Sequence, residues 1–218
     1  MNLQEFVFMG AGQTLPLKSW VKTTPGSVVL RVPSDVNFVW FEVQGGGGGG
    51  GGTYRGGVPN RKHGGGGGAA GLRIEDFMRV TPGANITCSV GAGGAGGQTY
   101  DSGVAGAQST FMSVVAPGGG GGGGAGITFA GRGGRLPGGY NAAPGGGAGG
   151  DGIIIESPDS GVDAAGLRGF FSESLFLGDV FLGSGGGGAP DVYVKAERGV
   201  AGYVRITYWS NFEIEEVG

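Results

Sequence analysis

The sequence predicts an all-β chain with little or no α-helix, in which short antiparallel strands feed a packed polyglycine II helix sandwich. Three observations lead there. Glycine supplies 58 of the 218 residues and is gathered into runs rather than spread. Short apolar segments with strand character stand immediately before several of those runs. No window of helix length keeps a 3.6-residue apolar period free of Gly or Pro, and each Gly costs about 1 kcal/mol in a helix relative to Ala. A composition this rich in glycine raises the question of disorder. Yet hydrophobic residues make up 39 %, aromatics 10 % and charged residues only 14 %, the reverse of a solvating, disordered chain.

Along the chain, residues 1–35 read as an N-terminal attachment segment without a glycine run. It carries Leu3, Phe6, Phe8, Leu15, Leu17 and Trp20, which either pack under the strands or dock on a larger fibre. Residues 36–209 form the glycine-rich β/polyglycine II domain, and 210–218 a C-terminal tail. The strand 36–43 is apolar on both faces, with Val36, Phe38 and Trp40 on one and Val39, Phe41 and Val43 on the other. That pattern fits a strand buried on both sides, in part by another subunit. It runs directly into Gly45 to Gly52, and Gly64 to Gly68 follow after a polar stretch.

Residues 72–80 alternate cleanly, with Leu72, Ile74, Met78 and Val80 opposite Arg73, Glu75 and Arg79. Thr81-Pro82-Gly83 supplies a turn. Residues 84–90 then alternate with Ile86, Cys88 and Val90 inward, so the pair reads as a β-hairpin. The alternating glycine-alanine segment 91–97, the strand 110–115 and Gly118 to Gly124 come next, and a further glycine-rich stretch covers 145–152. Strands are also expected over 152–156, 175–182, 192–195 and 201–209, with Gly185 to Gly188 among them. A short helical turn is allowed only around 163–167.

The glycine runs admit two readings. Flexible linkers are glycine-rich, but these runs contain almost no Ser and abut apolar strands without a spacer. A recurring strand-then-glycine unit points to a repeated structural element. Packed polyglycine II is such an element. It is extended, at about 3.1 Å per residue, and has no internal hydrogen bonds. Its backbone groups must therefore find partners on neighbouring chains, and the missing Cβ atoms allow the approach. Eight glycines would span about 25 Å.

The residues 32–52, 73–97 and 108–124, and above all the strand-Thr-Pro-Gly-strand-glycine unit of 79–97, resemble the glycine-rich domain of bacteriophage tail-fibre and tail proteins. They are also similar to the polyglycine-sandwich adhesins that cap the long tail fibres of T-even-like phages. The resemblance covers about 28–209. It implies antiparallel polyglycine helices joined by variable loops that bind a bacterial surface receptor. The N-terminal region here is shorter than in those adhesins, and the runs are fewer.

Little in the chain suggests catalysis. A GxGxxG pattern at 91–96 follows a strand, but in so glycine-rich a chain it arises freely, and no helix follows to hold a pyrophosphate. His63, the single histidine, reads as a solvated loop residue, and Cys88 as a small core residue. Asp159, Asp163 and Glu173 have no fixed separation, so they do not define a glycosidase pair. Phe170 and Phe171 are either a core plug or an exposed apolar contact. One Cys and one His exclude an internal disulfide and a closed zinc site. With 14 basic against 17 acidic residues and no basic run, nucleic acid is not expected. No apolar stretch is long enough to span a membrane.

The expectation is therefore a non-enzymatic protein without cofactor or metal. The candidate receptor-binding residues are Tyr54, Arg55, Asn60, Arg61, Lys62 and His63 in a first loop, Tyr100 and Asp101 in a second, and Arg132, Arg135, Tyr140 and Asn141 in a third. Tyr and Arg provide contact area and donors at modest entropy cost, and Arg pairs bidentately with phosphate or carboxylate. Loops are also polar merely because they are wet. Expected partners are a bacterial surface protein or glycan, and a larger tail protein held through the N-terminal segment and strand 36–43; a homo-oligomer is left open. The chain is expected in the virion tail, made in the host cytoplasm without a signal peptide. A structural virion component, whether capsid decoration, tail or baseplate protein, is the alternative.

Overall fold

The computed structural model describes residues 15–53, 62–126, 130–135, 154–155, 176–177, 180–189 and 195–217. Thirteen strands lie among them: β1 (Leu17–Lys22), β2 (Gly26–Arg31), β3 (Phe38–Gln44), β4 (Lys62–His63), β5 (Arg73–Arg79), β6 (Asn85–Val90), β7 (Ser109–Phe111), β8 (Val114–Ala116), β9 (Ile154–Ile155), β10 (Phe176–Leu177), β11 (Val180–Phe181), β12 (Tyr203–Trp209) and β13 (Glu215–Val217). No helix occurs among the described residues, so the chain is all-β there.

Two antiparallel sheets form a sandwich: β1-β12-β3-β5 and β13-β2-β6-β7-β8. Alternation aims Val39, Phe41 and Val43 of β3 and Val204, Ile206 and Tyr208 of β12 at Leu30, Ile86, Cys88, Val90 and Phe111 of the facing sheet. Phe41 and Phe111 stack with centroids 4.9 Å apart, a pairing worth about 1 kcal/mol beyond its buried area. Cys88 is fully buried in this core, and its thiol is pushed up to about 11 by that burial.

The inward faces of β5 and β6 are the expected ones, but the two strands are not a hairpin. β5 pairs with β3 in one sheet, and β6 pairs with β2 and β7 in the other. The Pro82-Gly83 turn, with Gly83 at φ 73°, is an arch between the sheets. In a hairpin the apolar faces of both strands would lie side by side; here they face each other across the core. The expected strand 110–115 is itself a hairpin, β7 and β8 joined at Met112. The sheets also take in β1, β2 and β13, which lie outside residues 36–209.

The glycine runs continue the strands as a hydrogen-bonded bundle. Run 45–53 lies at its centre. Successive N–H groups of Gly45, Gly46 and Gly47 donate to Leu72, Ala107 and Val200; those of Gly48, Gly49 and Gly50 to Ala69, Val104 and Glu197; those of Gly51 and Gly52 to Gly66 and Asp101. Partners thus recur every third residue on three antiparallel runs, 64–72, 101–107 and 195–202. Its carbonyls accept in the same rhythm from three parallel runs: Gly46 and Gly49 from Gly119 and Gly122, Gly47 and Gly50 from Gly94 and Gly97, Gly48 and Gly51 from Gly186 and Ala189.

The six outer runs also bond one another into a closed ring. Ala69 donates to Gly120, Gly103 to Gly122, Val104 to Ala95, Gly199 to Gly94, Val200 to Ser184, and Gly68 to Gly186. An eighth run, 130–135, lies outside this ring against 64–72 and 117–126, with Gly134 donating to Gly67 and Gly120 to Arg135. A linker would make no such bonds, so the linker reading fails for the described runs.

Two of these runs are not evident as glycine runs in the sequence. Run 101–107 holds only Gly103 and Gly106, and run 195–202 only Gly199 and Gly202. In each, the glycines sit where a Cβ would strike a carbonyl of the central run or of the β3 residue that leads into it: Gly49 and Gly46 for the first pair, Gly47 and Gln44 for the second. Lys195, expected in a strand, instead begins the second of these runs. The expected runs and strand residues around 136–153 and 156–175 lie outside the described residues, as do the 163–167 turn, Asp159, Asp163, Glu173, Phe170 and Phe171.

Candidate functional site

Runs 45–53, 91–97, 117–126 and 183–189 lead away from the sandwich and runs 64–72, 101–107 and 195–202 lead back to it, and the described connection, 98–100, lies at the opposite end of the bundle. The central run ends there at Gly52 and Thr53. Gly52 N–H donates to Asp101 O at 2.8 Å, and Tyr100 N–H to Thr53 O at 3.1 Å. Asp101 N–H closes the turn onto Gln98 O at 3.0 Å. Together these bonds hold Tyr100 at φ 70°, a left-handed conformation uncommon for a bulky residue. Its side chain is 55 % exposed. Ser102 Oγ accepts from Gly124 N–H at 3.3 Å, tying the turn to run 117–126. Thr53 is buried, and its Oγ1 has no hydrogen-bond partner.

Of the expected site residues, Tyr100 and Asp101 stand at this end. Lys62 and His63 form β4, paired with Ile155 and Ile154 of β9, immediately before run 64–72. Gly64 and Gly65 of that run bond Gly131 and Ala189, near the same end. Arg132 and Arg135 are not in a loop. They lie on run 130–135, where Gly131 and Gly134 face inward and both arginines are exposed. Arg132 O accepts from Gly123 N–H and Arg135 O from Gly120 N–H, so Arg135 sits a full repeat farther down the flank. Tyr54, Arg55, Asn60, Arg61, Tyr140 and Asn141 lie outside the described residues.

A second polar cluster, missed by the sequence reading, covers the sandwich side of the junction. Glu42 is only 3 % exposed although it sits on the outer face of β3. Arg73 Nη2 reaches its Oε2 at 3.0 Å, Arg205 donates to its Oε1, and Tyr203 Oη donates to Oε2 at 3.3 Å. Arg73 Nε in turn donates to Tyr203 Oη at 3.1 Å. Burial pushes the Glu42 carboxyl up, but the hydrogen bonds and charges of Arg205 and Arg73 outweigh it and hold the group below its ordinary value. Burial likewise raises the Tyr203 phenol. The residues lie in register across β5, β3 and β12, with Glu75, Glu42 and Arg205 in one row. That row was legible only once the strand order was known.

At the seam, Gln44 Nε2 donates to Gly71 O at 3.1 Å, and Ser109 Oγ to Gln44 O at 2.6 Å. The carboxylate of Glu42 is paired on both oxygens, an arrangement that ties β5, β3 and β12 together, whereas Gln44 Oε1 at the seam is buried without a hydrogen-bond partner. No group of acidic, His or Cys side chains suited to a metal occurs among the described residues. No helix there is long and apolar enough to cross a membrane.

No curated protein matches this chain. The family model described as a glycine-rich domain matches residues 23–189, from β2 through the 183–189 run and so through most of the sandwich and bundle. The chain belongs to the glycine-rich domain family.

Proposed function

We propose that this protein is a non-enzymatic adhesin of a bacteriophage tail fibre or tail tip, in which a polyglycine II bundle presents turns to a bacterial surface protein or glycan. The observation that carries the reading is the common end of the bundle. The central run, the left-handed Tyr100 turn and the approach of β4 converge there, opposite the sandwich. Seven mutually bonded runs make a stiff support, and turns held on a stiff support lose less freedom on binding. Tyr100 and Asp101 offer an aromatic face and a carboxylate, a combination suited to sugar rings and hydroxyls. The sandwich pole, with strand 36–43 and the N-terminal segment, is the natural side for attachment to a larger tail protein.

The test is adsorption of the purified protein to host cells. Tyr100→Ala with Asp101→Ala is expected to abolish adsorption while circular dichroism and melting temperature stay unchanged. Arg135→Ala, farther down the flank, is expected to leave it intact. Unchanged adsorption in the double variant and in Tyr54→Ala with Arg61→Ala would remove the loop end from the reading. Immunogold labelling of particles along the tail or over the head, rather than at a fibre tip, would favour a structural virion component.

A further inference from the structure

Run 130–135 shows how the outside of the ring takes a further chain. It lies in the groove between runs 64–72 and 117–126. Gly131 and Gly134 donate to Gly64 O and Gly67 O on one wall, and Gly123 and Gly120 on the other wall donate to Arg132 O and Arg135 O. Acceptors from one run and donors from its antiparallel neighbour thus alternate along the groove, each set at every third residue. The seated chain has glycine at its tightest points, where a Cβ on Gly131 or Gly134 would strike Gly123 O or Gly120 O, and leaves Arg132 and Arg135 exposed.

Run 117–126 borders a second groove of the same kind, against run 101–107. These two runs are antiparallel, with Gly103 donating to Gly122 and Gly106 to Gly119. The N–H groups of Gly119, Gly122 and Ala125 go to the central run, and those of Gly120 and Gly123 to run 130–135. The remaining set is Gly118, Gly121 and Gly124. Gly124 donates to Ser102 Oγ at 3.3 Å; one repeat back, Gly121 stands level with Ala105, whose methyl accepts nothing. The N–H groups of Gly118 and Gly121 make no hydrogen bond among the described residues, and neither do the carbonyls of Gly106 and Gly103, which lie against those two glycines. Gly118 and Gly121 are only half-buried, and Ala105 is exposed. An open row of main-chain donors and acceptors is a template for another chain.

We propose that this groove docks an extended segment of a partner protein with glycine at every third residue, laid beside run 117–126 as run 130–135 is on the other side. The walls set the occupant. Its main chain must come within bonding distance of Gly118 and Gly121, so it needs a residue without Cβ once per repeat, about every 9 Å. The other positions of each repeat accept any side chain. Affinity then comes from main-chain bonds and selectivity from glycine spacing, as in strand addition to a sheet edge. The described glycine-spaced runs of this chain are already engaged in their own bundle, which leaves a different chain as the occupant. Docking here does not depend on receptor binding at the loop end.

Amide hydrogen exchange of the full chain, read by NMR, tests it with the peptide (Gly-Gly-Arg)4, which repeats the spacing of run 130–135. At millimolar peptide the Gly118 and Gly121 amides are expected to exchange about tenfold more slowly or less, with shift changes confined to 102–108 and 117–124. The peptide (Ala-Ala-Arg)4, equal in charge but with a Cβ at every position, is expected to protect neither amide. Ala105→Val adds bulk level with Gly121 and is expected to abolish the protection while the melting temperature stays unchanged. Unaltered exchange of Gly121 with the glycine peptide would overturn the proposal. Equal protection by the alanine peptide, or equal protection in the Ala105→Val chain, would overturn it too, because binding would then not use the groove. Protection that rises with protein concentration in the absence of peptide would assign the groove to a second copy instead.

Discussion

The sandwich and the bundle solve the same problem with opposite materials. The sandwich hides large side chains, with Phe41, Phe111, Ile206 and Tyr208 all buried, and backbone hydrogen bonds run only within each sheet. The bundle hides backbone, and its interior bonds run in all lateral directions. A sheet core tolerates imperfect packing by rearranging rotamers at modest cost. A backbone core has no rotamers to rearrange. The most brittle positions should therefore be the smallest residues.

The largest expected effect is at the bundle centre. A Cβ on Gly49 would collide with Ala95 O and C, and both belong to main chain held in place by its own bonds. Gly49→Val is expected to cost more than about 4 kcal/mol, read as loss of the cooperative melt or of soluble protein. In the sandwich, Phe41→Ala is expected to cost about 3–5 kcal/mol through the cavity it leaves, with the fold retained and the denaturation midpoint lowered. If Phe41→Ala proved worse than Gly49→Val, the ordering of the two cores would be reversed.

The junction should respond more weakly. Glu42→Gln removes charge from hydrogen bonds to Arg73 and Arg205 and is expected to cost about 2 kcal/mol at neutral pH. Because the native carboxyl lies below its ordinary value of 4.5, its contribution is complete above that pH. It disappears as pH falls through the native value. Stability curves of the two proteins should therefore converge in acid, and parallel curves would place the acid sensitivity elsewhere. The smallest effect is expected for Val104→Ala. Its side chain is 57 % exposed on an outer run, so the midpoint should move by less than about 0.5 kcal/mol.

The same contrast explains what could be read from the sequence. The apolar alternation of 72–80 and 84–90 reported which side chains face inward, because period-two patterning is a local property. It did not report that β5 and β6 join different sheets, since an arch and a hairpin bury the same residues. Glycine density located the central run because it is enclosed on all sides. Runs 101–107 and 195–202 stand at the perimeter, need glycine only on the face turned to the centre, and so pass for ordinary loops. Their signal was the three-residue spacing of Gly103 with Gly106 and of Gly199 with Gly202, which also recurs in Gly131 and Gly134. Read that way, Arg132 would have been placed on a flank from the start. The Glu42 cluster had no local signature, because Glu42, Arg73 and Arg205 meet only through strand order.

The three-residue recurrence of the lateral bonds makes bundle length a quantised property. Inserting one glycine into a single run would rotate everything beyond it out of step with its neighbours. Inserting three into every run would restore each donor to an acceptor and lengthen the shaft by about 9 Å. No new side-chain packing would be required. Chains of this design therefore have a way to change reach without changing either end, and length differences among them should fall in threes.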